Sequence, residues 1–198
     1  IVFATSVKEE DNKIEEFCQS QGVACFRGSE NDLVDRYYQA SIHFEADLIL
    51  RLPADNPCPE AKEYDRLINY HESQNNDFSS NICNFRENGY PDGIGVEIFS
   101  FKSLERIWRT ESDVIKREHV NLNYYDYGKD RPSNNFNFKI GTIKCPKSYS
   151  RPDIVLDINT LEDYNYMKKL FDYAYHIDPS FGIKDIIKWH DNVHIKEI

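Results

Sequence analysis

The chain contains one methionine and two tryptophans, and it has no lysine or arginine run longer than a pair. Without a basic cluster, and with a net charge of −10 and a pI near 5.1, a duplex-binding role would work against phosphate repulsion. Nucleic acid is therefore not expected as a partner. Five cysteines, Cys18, Cys25, Cys58, Cys83 and Cys145, form no Cys-x-x-Cys pair. Neither a zinc site nor a paired disulfide framework is indicated, and reduced thiols in a cytoplasm fit best. No apolar run approaches the roughly 20 residues that span a bilayer, and no basic-then-apolar leader is visible, so no membrane role is expected. Internal repeats and low-complexity tails are absent as well.

What is present is bulk and alternation. Hydrophobic residues make up 40% of the 198 and aromatic residues 14%, with 13 tyrosines and 12 phenylalanines, enough for one substantial core in a single domain over residues 1–198. The first residues, Ile1-Val2-Phe3-Ala4-Thr5-Ser6, already read as an apolar strand. Asp11 is placed to cap a helix that runs to about Gln21 and stops at Gly22. A short strand at Val23–Phe26, a helix from Asn31 or Asp32 to His43, and a strand at Leu48–Leu52 follow, with Pro53 and Pro57 fixing the turn that carries Asp55.

Pro59 suits the first turn of a helix reaching about Asn75. Beyond it the pattern predicts strands at Phe78–Ile82 and Gly93–Phe99 and a helix at Lys102–Arg109. Residues 111–150 turn polar and rich in Tyr and Asn, with a helix near Val114–Tyr124 and an alternating strand at Phe136–Ile143. This stretch reads as an insertion that carries acceptor specificity or subunit contacts. Ile154–Ile158 is a further apolar strand, Thr160 and Asp163 form a capping box, and helices at Tyr164–His176 and Ile183–Trp189 close the sequence. Strand then helix, repeated, implies an α/β fold with a mostly parallel sheet flanked by helices.

Asp55 and Asp157 each lie at or near the end of a short apolar strand, where α/β sheets bind ligands. Two such acids converging would hold Mg²⁺ through oxygen ligands, although a turn former and a residue preceding a helix cap would look the same. Arg27-Gly28-Ser29 follows a strand and precedes a helix, an arrangement suited to an anion or simply to a solvated loop. Arg36 is placed either to pair with Asp32 along its helix or to touch substrate. Tyr90-Pro91-Asp92-Gly93 is a tight turn, and Glu97 then falls between Val96 and Ile98, where a carboxylate needs a partner. Arg117 offers a bidentate fork and His119 a donor, or both belong to a charged helix face.

Four of these words in order, RGSENDLVDRYYQA, RLPADNP, YPDGIGVE and VLDINTLEDY, together with KREHV, resemble the SpsF-like branch of the cytidylyltransferase (CMP-sugar synthetase) superfamily, from Ile1 to about Trp189. The resemblance implies a nucleotide-diphospho-sugar transferase (GT-A-like) fold and transfer of CMP from CTP to a sugar or keto-sugar acid, with Mg²⁺, for surface polysaccharide. It implies Asp55 and Asp157 as catalytic and metal-holding acids, with Asn159, at a position where relatives carry a further acid, as a third metal ligand offering a neutral oxygen. Thr5, Ser6, Arg27 and Ser29 fall on the nucleotide side and Asp92, Glu97, Arg117 and His119 on the acceptor side. Gly95 stands where an acid is often found. Homodimers are common in the family, and in it a first strand and a glycine-rich phosphate loop precede the position of Ile1. The sequence is thus expected to be a fragment, a processed chain or a diverged relative. A glycosyltransferase using a preformed nucleotide sugar, or a non-catalytic binding relative, is the other reading.

Overall fold

The computed structural model describes residues 1–83, 85–133 and 136–194, with side chains through residue 192. The chain partitions into two compact units, residues 1–49 with 99–139, and residues 50–98 with 140–198.

In the first unit β1 (Val2–Ser6) and β2 (Ala24–Gly28) pair in parallel, with Thr5 opposite Arg27 and Ser6 opposite Gly28. Between them runs α1 (Asn12–Gln21), which ends where Gly22 adopts φ +65° and turns its N–H back to Cys18 and Gln19. Glycine takes this left-handed cap without a Cβ penalty. The next helix, α2 (Leu33–His43), begins at Asp32, whose carboxylate accepts the Asp35 N–H. Aromatic stacking joins α2 to α4 (Phe101–Thr110): Tyr38 lies 4.1 Å from Trp108 and 5.6 Å from Phe101, and Trp108 donates to Asp35 at 2.7 Å.

The second unit holds most of a four-stranded sheet in the order β3 (Leu48–Arg51), β5 (Glu97–Ser100), β4 (Phe78–Ser80), β8 (Ile140–Gly141). The chain passes between units within β3, within β5 and after Lys139. Helices α3 (Ala61–Gln74), α6 (Leu161–Ile177) and α7 (Ile183–Trp189) complete this unit, and β4 and β8 pair in parallel. The expected capping box is present, with Thr160 and Asp163 exchanging side-chain and backbone hydrogen bonds at the start of α6. The architecture is α/β with helices flanking sheets, as the strand and helix alternation predicts.

Several sequence expectations change. The helix expected near Val114–Tyr124 breaks at His119, leaving α5 (Val114–Glu118) and a 3₁₀ turn at Val120–Asn123. Asn123 causes the break chemically, donating to the carbonyls of Lys116 and Val120. Two short strands, β6 (Tyr125–Asp126) and β7 (Arg131–Pro132), then pair antiparallel. Of the strand expected at Phe136–Ile143 only Ile140–Gly141 is formed. Its aromatic start is claimed elsewhere: Phe138 lies 4.9 Å from Tyr124, and Arg106 covers Phe136 and Phe138 within the first unit. Tyr124 and Tyr125 are buried in that unit's own core. The expected strand at Ile154–Ile158 pairs with loops and joins no sheet among the described residues.

Candidate functional site

Three acids of the second unit are drawn together by backbone stitching. Asp92 N–H donates to Ile154 O at 2.9 Å, and Leu156 N–H returns to Asp92 O at 3.2 Å. Ile158 N–H donates to Asp55 O at 3.0 Å. The residues 154–158 therefore run between the Asp92 turn and the Asp55 turn and place Asp157 between them. Gly93 makes this approach possible: at φ +79° a Cβ there would lie 2.4 Å from the Asp157 nitrogen. A side chain at 93 would break the seam.

The electrostatics follow from the geometry. Burial first, then the charges of Asp157 and Asp55, push the Asp92 carboxyl above its usual range. Asp157 receives the Asn159 amide at 2.6 Å on Oδ2, while its Oδ1 is buried with no hydrogen-bond partner among the described residues. A buried carboxylate oxygen of this kind, beside two further acids, is a donor set that suits a hard cation. Among the described residues no group of three or more His, Cys, Asp and Glu is close enough to hold a metal unaided. Any ion here would complete its shell with water or phosphate oxygens, as Mg²⁺ commonly does. Asn159 acts in the structure as a donor that orients Asp157.

Glu97 has the partner its position demanded. It is 1% exposed and meets the Arg51 Nη1 at 2.6 Å, so the first arginine of RLPADNP is held by the acid of YPDGIGVE. Sequence reasoning passed over Arg51; an unpaired acid in an apolar strand was the signal that a cation had to be near. Asn81, at the end of β4, accepts from Val96 N at 2.8 Å and donates its own N–H to Val96 O. A Cβ on Gly95 would lie 2.4 Å from the Ile82 Cα, so this backbone has no room for a side chain at 95.

The remaining predicted residues lie in the first unit. Thr5 and Ser6 are buried at the end of β1, and both hydroxyls donate to one oxygen of Asp11, at 2.7 and 2.6 Å, joined by Ser6 N at 3.0 Å. Asp11 was expected to cap α1, yet its side chain makes no cap bond and is spent on this loop. Hydrogen bonds from Ser6 and then Thr5 hold its carboxyl down at about 2. Arg27 encloses the same loop: Nε donates to Ser6 O at 2.9 Å, Nη2 to Lys8 O at 2.5 Å, and Nη1 to Asn12 and Glu15. Ser29 Oγ accepts the Asp32 N–H at 3.1 Å. Arg117, not Arg36, pairs with Asp32, at 2.7 Å, and it also donates to the carbonyls of Trp108 and Glu111. Arg36 runs beneath Gly28 and its Nε is buried without a partner. His119 is exposed at the end of α5.

Among the described residues no helix is long and apolar enough to cross a membrane. The chain is 34% identical over 204 residues to the uncharacterized protein MJ1063 of Methanocaldococcus jannaschii, covering all of this chain and 76% of that protein. It is 31% identical over 175 residues to the spore coat polysaccharide biosynthesis protein SpsF of Bacillus subtilis, covering 88% of this chain and 68% of that protein. Among solved structures, a cytidylyltransferase from Leptospira borgpetersenii serovar Hardjo-bovis superposes with a TM-score of 0.81 at 28% identity, over 96% of this chain and 75% of that one. The cytidylyltransferase family profile itself matches residues 1–182. The chain, with its acid-bearing turns in the order the motifs require, belongs to the cytidylyltransferase family of nucleotidyltransferases.

Proposed function

We propose that the protein transfers CMP from CTP to a hydroxyl of a sugar or keto-sugar acid, releasing pyrophosphate, in the making of a surface polysaccharide. The observation that carries this reading is the seam of Asp55, Asp92 and Asp157, with Asp157 Oδ1 buried and without a hydrogen-bond partner among the described residues. The Asp92 carboxyl, raised by burial and by the charges of Asp157 and Asp55, would be relieved by positive charge delivered here. Asp55 and Asp157 would hold Mg²⁺, with Asn159 fixing the second oxygen of Asp157. An ion held there would supply charge screening at the phosphates during attack of the acceptor oxygen on the α-phosphorus and departure of pyrophosphate. Asp92, on the rim turn, is assigned to the acceptor. Glu97 serves indirectly, as the counter-ion that sets Arg51. In the first unit the Thr5–Ser6 loop and Ser29 are assigned to the nucleotide, with Arg27 and Asp11 holding that loop in shape. The similarity to SpsF, a spore coat polysaccharide biosynthesis protein, supports the polysaccharide setting. Bonds made and broken need no protein nucleophile, so catalysis rests on positioning and charge neutralisation.

The test is pyrophosphate release from the full chain with each of the four nucleoside triphosphates, Mg²⁺ and a panel of sugar acids. CTP alone is expected to support acceptor-dependent release. Turnover of a preformed nucleotide sugar with no pyrophosphate release would assign the protein to the glycosyltransferases.

A further inference from the structure

The Tyr90–Gly93 turn carries Asp92 into the acid seam, yet no strand holds it, because β5 starts only at Glu97. Its support comes from α3. Glu63 is 2% exposed and accepts the hydroxyl of Tyr90, whose ring is fully buried. Arg66 completes a triangle, donating Nη1 to the same Glu63 oxygen and, at 3.3 Å, to the Tyr90 hydroxyl. Its Nη2 reaches Lys144 O at 3.2 Å, which ties the triangle to the loop that follows β8. At the other end Tyr90 N–H donates to Asn88 Oδ1 at 3.1 Å, and Asn88 in turn donates to Ile82 O at 2.7 Å. Tyr90 is thus held at its hydroxyl and at its backbone N–H, two residues before Asp92.

Pro91 and Gly93 suffice to specify a turn. A phenylalanine ring against an apolar neighbour would fill the same space at no desolvation cost, and a buried carboxylate is often no more stabilising than such a pair. What a hydrogen bond at the ring's far end adds is a fixed depth and rotation. Packing alone leaves these slack by a few tenths of an ångström, and sites that act by positioning are sensitive on that scale.

We propose that Glu63 is a positioning residue, setting the depth of Tyr90 and through it the placement of the Asp92 carboxylate against Asp157. The proposal rests on the cytidylyl-transfer reading of these acids. Glu63 itself touches no substrate; its influence runs through the Tyr90 hydroxyl and the Asp92 to Ile154 and Leu156 hydrogen bonds.

Three variants of the full chain separate the roles. Tyr90→Phe removes one oxygen and keeps the packing, Glu63→Leu removes the acceptor, and Glu63→Gln keeps an acceptor for the hydroxyl. Pyrophosphate release with CTP, Mg²⁺ and acceptor is measured beside amide hydrogen exchange at Asp92 and Leu156, each protein held equally far below its own melting point. Tyr90→Phe and Glu63→Leu are expected to lower kcat about tenfold with the KM for CTP moving less than about twofold, while Glu63→Gln keeps most of the rate. The Asp92 and Leu156 amides should exchange about tenfold faster in the first two, with those of α6 unchanged. Unchanged exchange at these two amides in Tyr90→Phe overturns the proposal, as does faster exchange with unchanged kcat. Uniformly faster exchange across the unit assigns Glu63 to stability alone and also overturns it. A wild-type protein inert with every nucleoside triphosphate, by contrast, sinks the cytidylyl-transfer reading and takes the proposal with it.

Discussion

Burial and the charges of Asp157 and Asp55 raise the Asp92 carboxyl, so the folded state binds this proton more tightly than the unfolded chain does. The sign follows: Asp92 costs nothing when pH lies below the ordinary value of 3.8, and its cost grows as pH rises through the raised folded value. Asp92→Asn should therefore raise the melting temperature at pH 7 by a few degrees, on the order of 2–4 °C per kcal/mol, while lowering turnover. Calorimetry at pH 7 and again below 3.8 checks this, since the gain should vanish at the lower pH. Asp11 has the opposite sign. Its carboxyl is lowered, so its contribution is complete above 3.8 and is lost as pH falls towards about 2. Asp11→Asn should lower the melting temperature at pH 7, with the difference shrinking as pH falls from 3.8 through about 2, by the same measurement. Both residues show how far the sequence could be read. Asp92 was legible as a rim residue because Pro-Asp-Gly marks a turn, but its charge conflict needed the fold. Asp11 stands at the N-cap position the sequence indicates, but its carboxylate serves the buried hydroxyls of Thr5 and Ser6 and not the helix N-terminus.

At the scale of elements, what could be read was whatever local chemistry decides. Gly22 ends α1, Asp32 starts α2, and Thr160 with Asp163 starts α6, each by a bond within a few residues. What failed was decided by distant partners: Asn123 breaking the helix at His119, and Phe138 drawn to Tyr124 instead of extending β8. The strand expected from Gly93 is shortened to Glu97–Ser100 because the glycines at 93 and 95 serve close backbone approaches. Two variants test this seam. Gly93→Ala combines a disfavoured φ of +79° with a Cβ at 2.4 Å from Asp157 N and should cost about 1–3 kcal/mol or more, read as a lower midpoint in urea. Glu97→Ala leaves the Arg51 guanidinium without its buried counter-ion and should cost about 2–3 kcal/mol in the same assay, less than a fully buried pair because Arg51 keeps contact with water.

At the scale of the molecule, the two units hold different candidate groups. The first holds a β1 loop braced by Asp11 and Arg27, and the second holds the seam of Asp55, Asp92 and Asp157. Family membership fixes the class of reaction, and it was readable because four separated words stand in the family's order, matched over residues 1–182. The roles of Arg51, Glu63 and Asn81 were not readable, because each acts on a residue far away in the chain. The proposed mechanism puts the catalytic charge on the Asp157 carboxylate, whose buried Oδ1 has no hydrogen-bond partner among the described residues. It is tested most directly by Mg²⁺ titration of CTP- and acceptor-dependent pyrophosphate release in the wild-type protein and in Asp157→Asn. The variant keeps the shape and loses the charge, so kcat should fall at least about a hundredfold, and the Mg²⁺ needed for half-activity should rise at least about tenfold, with the melting temperature held or raised. Wild-type turnover and an unchanged Mg²⁺ response in Asp157→Asn would contradict the account.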